Sequence, residues 1–204
     1  MECSKIERIN SFIENLSINE SFIHPNVYFL DHKLKIYEDE MHEFKHFQFI
    51  NESDISDKIR HLCKYFVAFL NSNSGVIYIG INDDGFVKGT KLNNSIIKRI
   101  EQELSMIINS FETHVIDNNL IMYQFCPVHD PNTNLIIKDL YVMEIFVKQG
   151  LLDHVYTTPF KDSKTNDYQC YIKLNGTTNK IEGPNLYKYL KNKIKNFLKI
   201  KKKN

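Results

Sequence analysis

The sequence predicts an α+β layer structure in one domain, and three observations carry that reading. Segments with apolar residues at every third or fourth position alternate with short apolar or alternating runs, the respective periods of helix and strand. One such run, residues 75–81, is nearly all apolar and reads as a strand covered on both faces. With 204 residues, 42% of them apolar and 12% aromatic, the chain has the size of one domain and enough material for a core.

The elements follow in order. Ile6, Ile9, Phe12, Ile13 and Leu16 share a helical face over 4–17, and Ser4 with Glu7 has capping-box spacing. A connection over 18–26 leads to two short extended segments, 27–30 and 35–37. Residues 42–47 alternate polar and apolar, as a half-buried strand does. A polar loop at 51–54 precedes one helix reaching about residue 71, with Ile55, Ile59, Leu62, Phe66 and Leu70 on its face. After the 75–81 strand, Asn82-Asp83-Asp84-Gly85 is a turn signature and 86–89 a returning arm. A helix over 94–111, strands at 120–126, 140–148 and 168–174, and a last helix over 186–200 complete the order α-β-β-α-β-β-α-β-β-β-α.

Net charge is +1, yet eight lysines and no acidic residue lie between Lys188 and Asn204, leaving −7 on the preceding residues. A basic end on an acidic body is either a solvated helix terminus or a contact for a polyanion. The charged start 1–8 does not read as a secretory leader, so none is expected, and no segment nears the roughly 20 apolar residues of a membrane span. Cys3, Cys63, Cys126 and Cys170 show no CxxC spacing. Together these features predict free thiols, a cytoplasmic location and no membrane partner. Abundant asparagine, isoleucine and lysine point to an A/T-rich genome, such as that of a large DNA virus. The chain lacks GxxxxGK[ST], and Gly80, Gly85 and Gly89 read as turn and close-packing positions rather than a phosphate cradle.

Glu38, Asp39, Glu40 and Glu43 crowd one stretch, and Asp83 and Asp84 follow the most apolar strand. Such oxygens suit hard cations, Mg²⁺ or Mn²⁺, which polarise phosphodiesters; on spacing alone an ordinary acidic surface is the simpler reading. Glu38 and Glu43 are five apart, an odd offset that needs a bend if both are to face one ion, and the charged 38–41 stretch suits that bend. His42 and His46 are expected on the strand face opposite Phe44, as proton-transfer groups or as solvated residues. Cys126 and His129 have half a zinc-site spacing without a second pair. For phosphate contacts the candidates are Lys45, Lys88, Lys91, Lys98, Arg99 and Lys173, each equally an ordinary solubilising residue.

The string Glu38-Asp-Glu-Met-His-Glu43-Phe44-Lys45, with residues 69–89 after it, resembles the Schlafen family. That pattern is E-x4-E-F-K, a helix ending A-F-A-N, a Gly-Gly turn, a strand ending I-G-V, an acidic pair and a closing V-x-G. Residues 171–178 resemble the family's later Y-V-R-x-G-S stretch. The resemblance runs from about residue 36 to 190, flanked by an N-terminal helix and connection (1–35) and a basic tail (191–204). It implies a single-lobe Schlafen/AlbA-like domain with a mixed sheet flanked by helices. It further implies a divalent-metal endoribonuclease acting on tRNA-like structured RNA, with Glu38, Glu43 and Asp83 as catalytic, metal-ligating carboxylates.

Departures from the pattern qualify that expectation. Larger Schlafens close a basic groove between two lobes; room for one here implies a homodimer or pairing with another small Schlafen-like subunit. The family's Cys-Cys zinc ligands are missing from 147–152, so no zinc is expected, and Ser74-Gly75 stands for the Gly-Gly turn. Two further readings remain open. One is a non-catalytic RNA- or DNA-binding module that antagonises host RNA handling or sensing; the other is a protein-interaction module.

Overall fold

The computed structural model describes residues 2–17, 24–25 and 27–201. Its elements are α1 (Glu2–Ser17), β1 (Tyr28–Phe29), β2 (His42–Lys45), α2 (Glu52–His61), α3 (Cys63–Asn71), β3 (Gly75–Ile79), β4 (Thr90–Lys91), α4 (Asn94–Asn109), α5 (Thr113–Asp117), β5 (Ile121–His129), β6 (Ile136–Val147), β7 (Cys170–Leu174), β8 (Thr177–Ile181) and α6 (Gly183–Lys201). Most of the predicted 18–26 connection, namely 18–23 and 26, lies outside the described residues, as do 202–204 of the basic tail.

The apolar run becomes β3, buried at every position and flanked by β2 in parallel and β6 antiparallel. The sheet order is β1-β5-β6-β3-β2, with β4 also paired to β6, so the sheet is mixed and the fold α+β as predicted. Alternation along β3 divides its side chains between two cores. Ile77 and Ile79 join Phe66, Leu70, Leu104 and Ile145 beneath α2–α5, while Val76 and Tyr78 join Ile9, Phe12, Phe44 and Phe146 on the α1 side. Among the described residues no helix is long and apolar enough to cross a membrane, and Cys63, Cys126 and Cys170 are free thiols.

Several elements differ from expectation, some for local and some for long-range reasons. The single helix expected to residue 71 is two, because the Leu62 N–H bonds Ile59 O at 3.1 Å, a tightened turn between α2 and α3. α3 is then buried nearly all round, between the sheet and the β7–β8 hairpin. Residues 35–37 form no strand; Leu34 N–H instead bonds Gly85 O at 2.9 Å and Lys33 bridges Phe86. β2 is not half exposed: His42, Glu43 and Phe44 are 1%, 6% and 1% exposed. Its polar side faces Lys173 and the hairpin turn, where a Cβ on Gly176 would lie 3.3 Å from Asp39 Cα. That hairpin adds β8, unread in the sequence although Asn175-Gly176, both at positive φ, is the usual two-residue turn pair.

The predicted 82–85 turn and returning arm are present. Asn82 Oδ1 accepts the Phe86 N–H at 2.7 Å, and Ile81 bridges Val87 antiparallel. Gly80 (φ +108°) takes the N–H of Lys88 and Gly89 on its carbonyl, both at 2.8 Å; a Cβ there would sit 3.1 Å from Gly89 Cα. Close backbone approach is what requires glycine.

Candidate functional site

Asp39 makes the bend that the Glu38–Glu43 spacing demands. Its Oδ1 accepts the N–H groups of Met41 (2.7 Å) and His42 (2.8 Å), and its own N–H donates to His42 O at 3.1 Å. The chain therefore reverses just before β2 and lays Glu38 alongside that strand. Glu38 Oε1 accepts the Phe44 N–H at 2.8 Å and lies 3.3 Å from Lys45 Nζ. Glu43 Oε1 reaches the same ammonium at 2.7 Å. Two carboxylates thus converge on one cation.

On its other side, Glu43 Oε2 meets Lys173 Nζ at 2.5 Å. The Lys173 side chain is 0% exposed, donates also to Gly176 O at 3.2 Å, and lies over the Phe69 ring at 5.3 Å. A buried carboxylate is tolerable here because ammonium groups flank it on both sides, leaving the four-residue cluster neutral. Burial pushes the Lys45 ammonium down, but the Glu43 hydrogen bond and charge, then Tyr65 and Glu38, outweigh it and hold its pKa above the ordinary value. At Asp39, burial is likewise outweighed by His42 and the Met41 N–H, which hold that carboxyl low.

Asp83 stands exposed in the turn after β3. It is not drawn into a metal-sized group: among the described residues, the group whose ligand atoms lie within 4.8 Å of one another is Glu112, His114 and His154. Glu38 and Glu43 fit a hard cation by donor type, although the position between them holds the Lys45 ammonium. His42 is a correction to the sequence reading. It is buried, its Nδ1 is 2.8 Å from Asp39 Oδ1, and its ring stacks on Tyr78, which Phe44 meets edge-on. His42 and Phe44 share a face because their offset is even. His46 is exposed, 3.3 Å from Gln48.

The predicted phosphate contacts divide. Lys88 pairs with Asp31 at 2.7 Å, Arg99 with Glu103 at 2.5 Å, and Lys173 is sealed against Glu43. Lys91 and Lys98 are exposed, and Lys45 is half-buried between its two carboxylates. Cys126 and His129 have separate partners, Glu144 Oε2 at 3.4 Å and Asn134 O at 3.1 Å.

Sequence reasoning missed the Glu112 group. His154 Nε2 lies 2.9 Å and His114 Nδ1 3.5 Å from Glu112, and the Tyr156 hydroxyl lies 2.7 Å from His114 Nε2. Two imidazoles and a carboxylate form a zinc-type donor set, but residues this far apart in the chain carry no spacing signal.

A family model described as Schlafen, AlbA_2 matches residues 38–182, and the chain belongs to that family. The match opens on Glu38 and takes in Glu43, Lys45, Asp83 and Lys173. Membership gives the chain a nucleic-acid-related function. No curated protein matches it significantly. Among solved structures, it is similar to the DIP2311 protein from Corynebacterium diphtheriae at 14% identity and a TM-score of 0.42. That similarity covers 92% of this chain and 28% of the other.

Proposed function

We propose that this member of the Schlafen AlbA_2 family is an endoribonuclease for tRNA-like structured RNA, working through Glu38, Glu43 and Lys45. The convergence of both glutamates on Lys45 Nζ, at 3.3 and 2.7 Å, carries the reading. It brings together the two residues that the family pattern spaces five apart. Mg²⁺ or Mn²⁺ held by Glu38 and Glu43, with Asp83 as the third ligand implied by the pattern, would supply Lewis acidity at the scissile phosphate. Lys173 fixes Glu43 from behind, and the Phe44 N–H fixes Glu38. Lys45, with its raised pKa, stays charged at neutral pH and offers its ammonium to a non-bridging phosphate oxygen. Pairing with a second copy would supply the other wall of a groove, and the setting is the cytoplasm.

The test is cleavage of tRNA by the purified chain with Mn²⁺ or Mg²⁺. Glu43→Gln is expected to lower the rate by about 100-fold or more, and intact tRNA with both metals would sink the enzyme reading. One observation favours a second reading, a non-catalytic nucleic-acid-binding module: Lys45 lies between the glutamates while Asp83 stands apart. RNA binding that survives E38Q/E43Q/D83N, with no turnover by the wild type, would select it.

A further inference from the structure

A cleft of about 470 Å³ opens between the α2–α3 junction and residues 158–163, beside β7. Arg60, His61 and Lys64 line one wall, and Phe160, Lys161 and Tyr171 the other. Among the described residues, Arg60, Lys64 and Lys161 enter no ion pair. They rest on aromatic faces instead: Arg60 over Phe160 at 5.1 Å, Lys64 over Tyr65 at 4.8 Å, Lys161 over Tyr168 at 5.7 Å. Asp57 and Asp162 also line the cleft, but Asp162 Oδ1 is committed to the N–H groups of Lys164 (2.9 Å) and Thr165 (3.0 Å).

The cleft adjoins the carboxylate pair. Tyr65 carries Lys64 on its ring and also Lys45, at 5.1 Å. Burial first, and then neighbouring positive charge, hold His61 and Lys64 below their ordinary pKa values, as expected where cations outnumber nearby counter-charges. Such a field favours an anion, and the half-buried rings of Phe160 and Tyr171 favour a flat partner.

We propose that this cleft binds a single-stranded stretch of RNA leading to Glu38 and Glu43, with Arg60, Lys64 and Lys161 on its phosphates and Phe160 and Tyr171 stacking its bases. Bases must be unpaired to reach aromatic faces, which selects loops or ends over duplex. The inference rests on the nucleic-acid reading above, not on cleavage. None of these residues is among the cations that the sequence nominated, because pairing partners decide which charges are available.

Fluorescence anisotropy of a labelled single-stranded RNA with the full chain tests it, across a salt series. R60A/K64A/K161A is expected to lose at least about 10-fold in affinity and to flatten the log K against log [salt] slope by roughly 2, three contacts at ~0.7 each. F160A is expected to weaken binding by roughly 10-fold with the salt slope unchanged. K33A/K35A/K138A removes equal charge elsewhere and should change affinity less than 2-fold; equal losses in both triples would mean general electrostatics and overturn the cleft. RNA binding by the wild type that R60A/K64A/K161A leaves untouched overturns the cleft while the nucleic-acid reading stands. A wild type that binds no RNA removes both, and thermal melts separate any of these results from unfolding.

Discussion

Two groups of cations meet at Tyr65, whose ring carries Lys45 of one and Lys64 of the other, and the fold treats them oppositely. Lys45 and Lys173 are matched by Glu38 and Glu43 in a closed network that reaches the interior. Among the described residues, Arg60, Lys64 and Lys161 form no ion pair, and they lie on rings at the edge of an open cleft. The difference follows from desolvation. A charge without water must be neutralised by a neighbour, whereas a charge at a cleft wall keeps part of its hydration until a ligand replaces it. The first group is therefore built to hold geometry, the second to attract.

The largest effect should come from breaking the closed network. Lys173→Met leaves Glu43 buried without its rear partner and should cost about 3–5 kcal/mol of stability, read from urea denaturation. Adding Glu43→Leu should recover most of that loss, since burying neither charge costs less than burying one. A single variant as stable as wild type would show that Lys173 is not structurally bound to Glu43.

In the cleft the same kind of change should do little. Lys64→Ala should alter stability by no more than about 0.5 kcal/mol, because no counter-charge is stranded; a loss above about 1 kcal/mol would erase the contrast. The finest test is titration. Lys45 has a raised pKa, so its stabilisation is present below the ordinary lysine value of about 10.4 and is lost as pH rises through its folded value. Lys64 has a lowered one, so its charge costs stability below that folded value, and the cost is relieved as pH rises. NMR of labelled lysine side chains should find Lys64 titrating at lower pH than Lys45; the reverse order would contradict the division between the two groups.

Much of the architecture was legible from short-range pattern. The apolar run of β3, the Asn82–Gly85 turn and the glycine close to Gly89 follow from residue type and immediate neighbours. Asn175-Gly176 also spelled a hairpin, but with little apolar sequence after it β8 escaped notice. β2 misled in another way: alternation implied one wet face, and a hairpin about 130 residues later covers that face.

By itself, the sequence determined the α+β class and the family, which depend on periodicity and motif spacing along the chain, and through that family resemblance it nominated Glu38 and Glu43. It also required a bend between them, which Asp39 supplies. Only the tertiary structure decided what surrounds the pair and which cations are available. Lys173 reaches Glu43 across 130 positions and Lys88 reaches Asp31 across 57, while Arg60, Lys64 and Lys161 find no carboxylate among the described residues. Charge pairing is set by distance in space, and nothing in local spacing encodes which distant carboxylate arrives beside a given lysine.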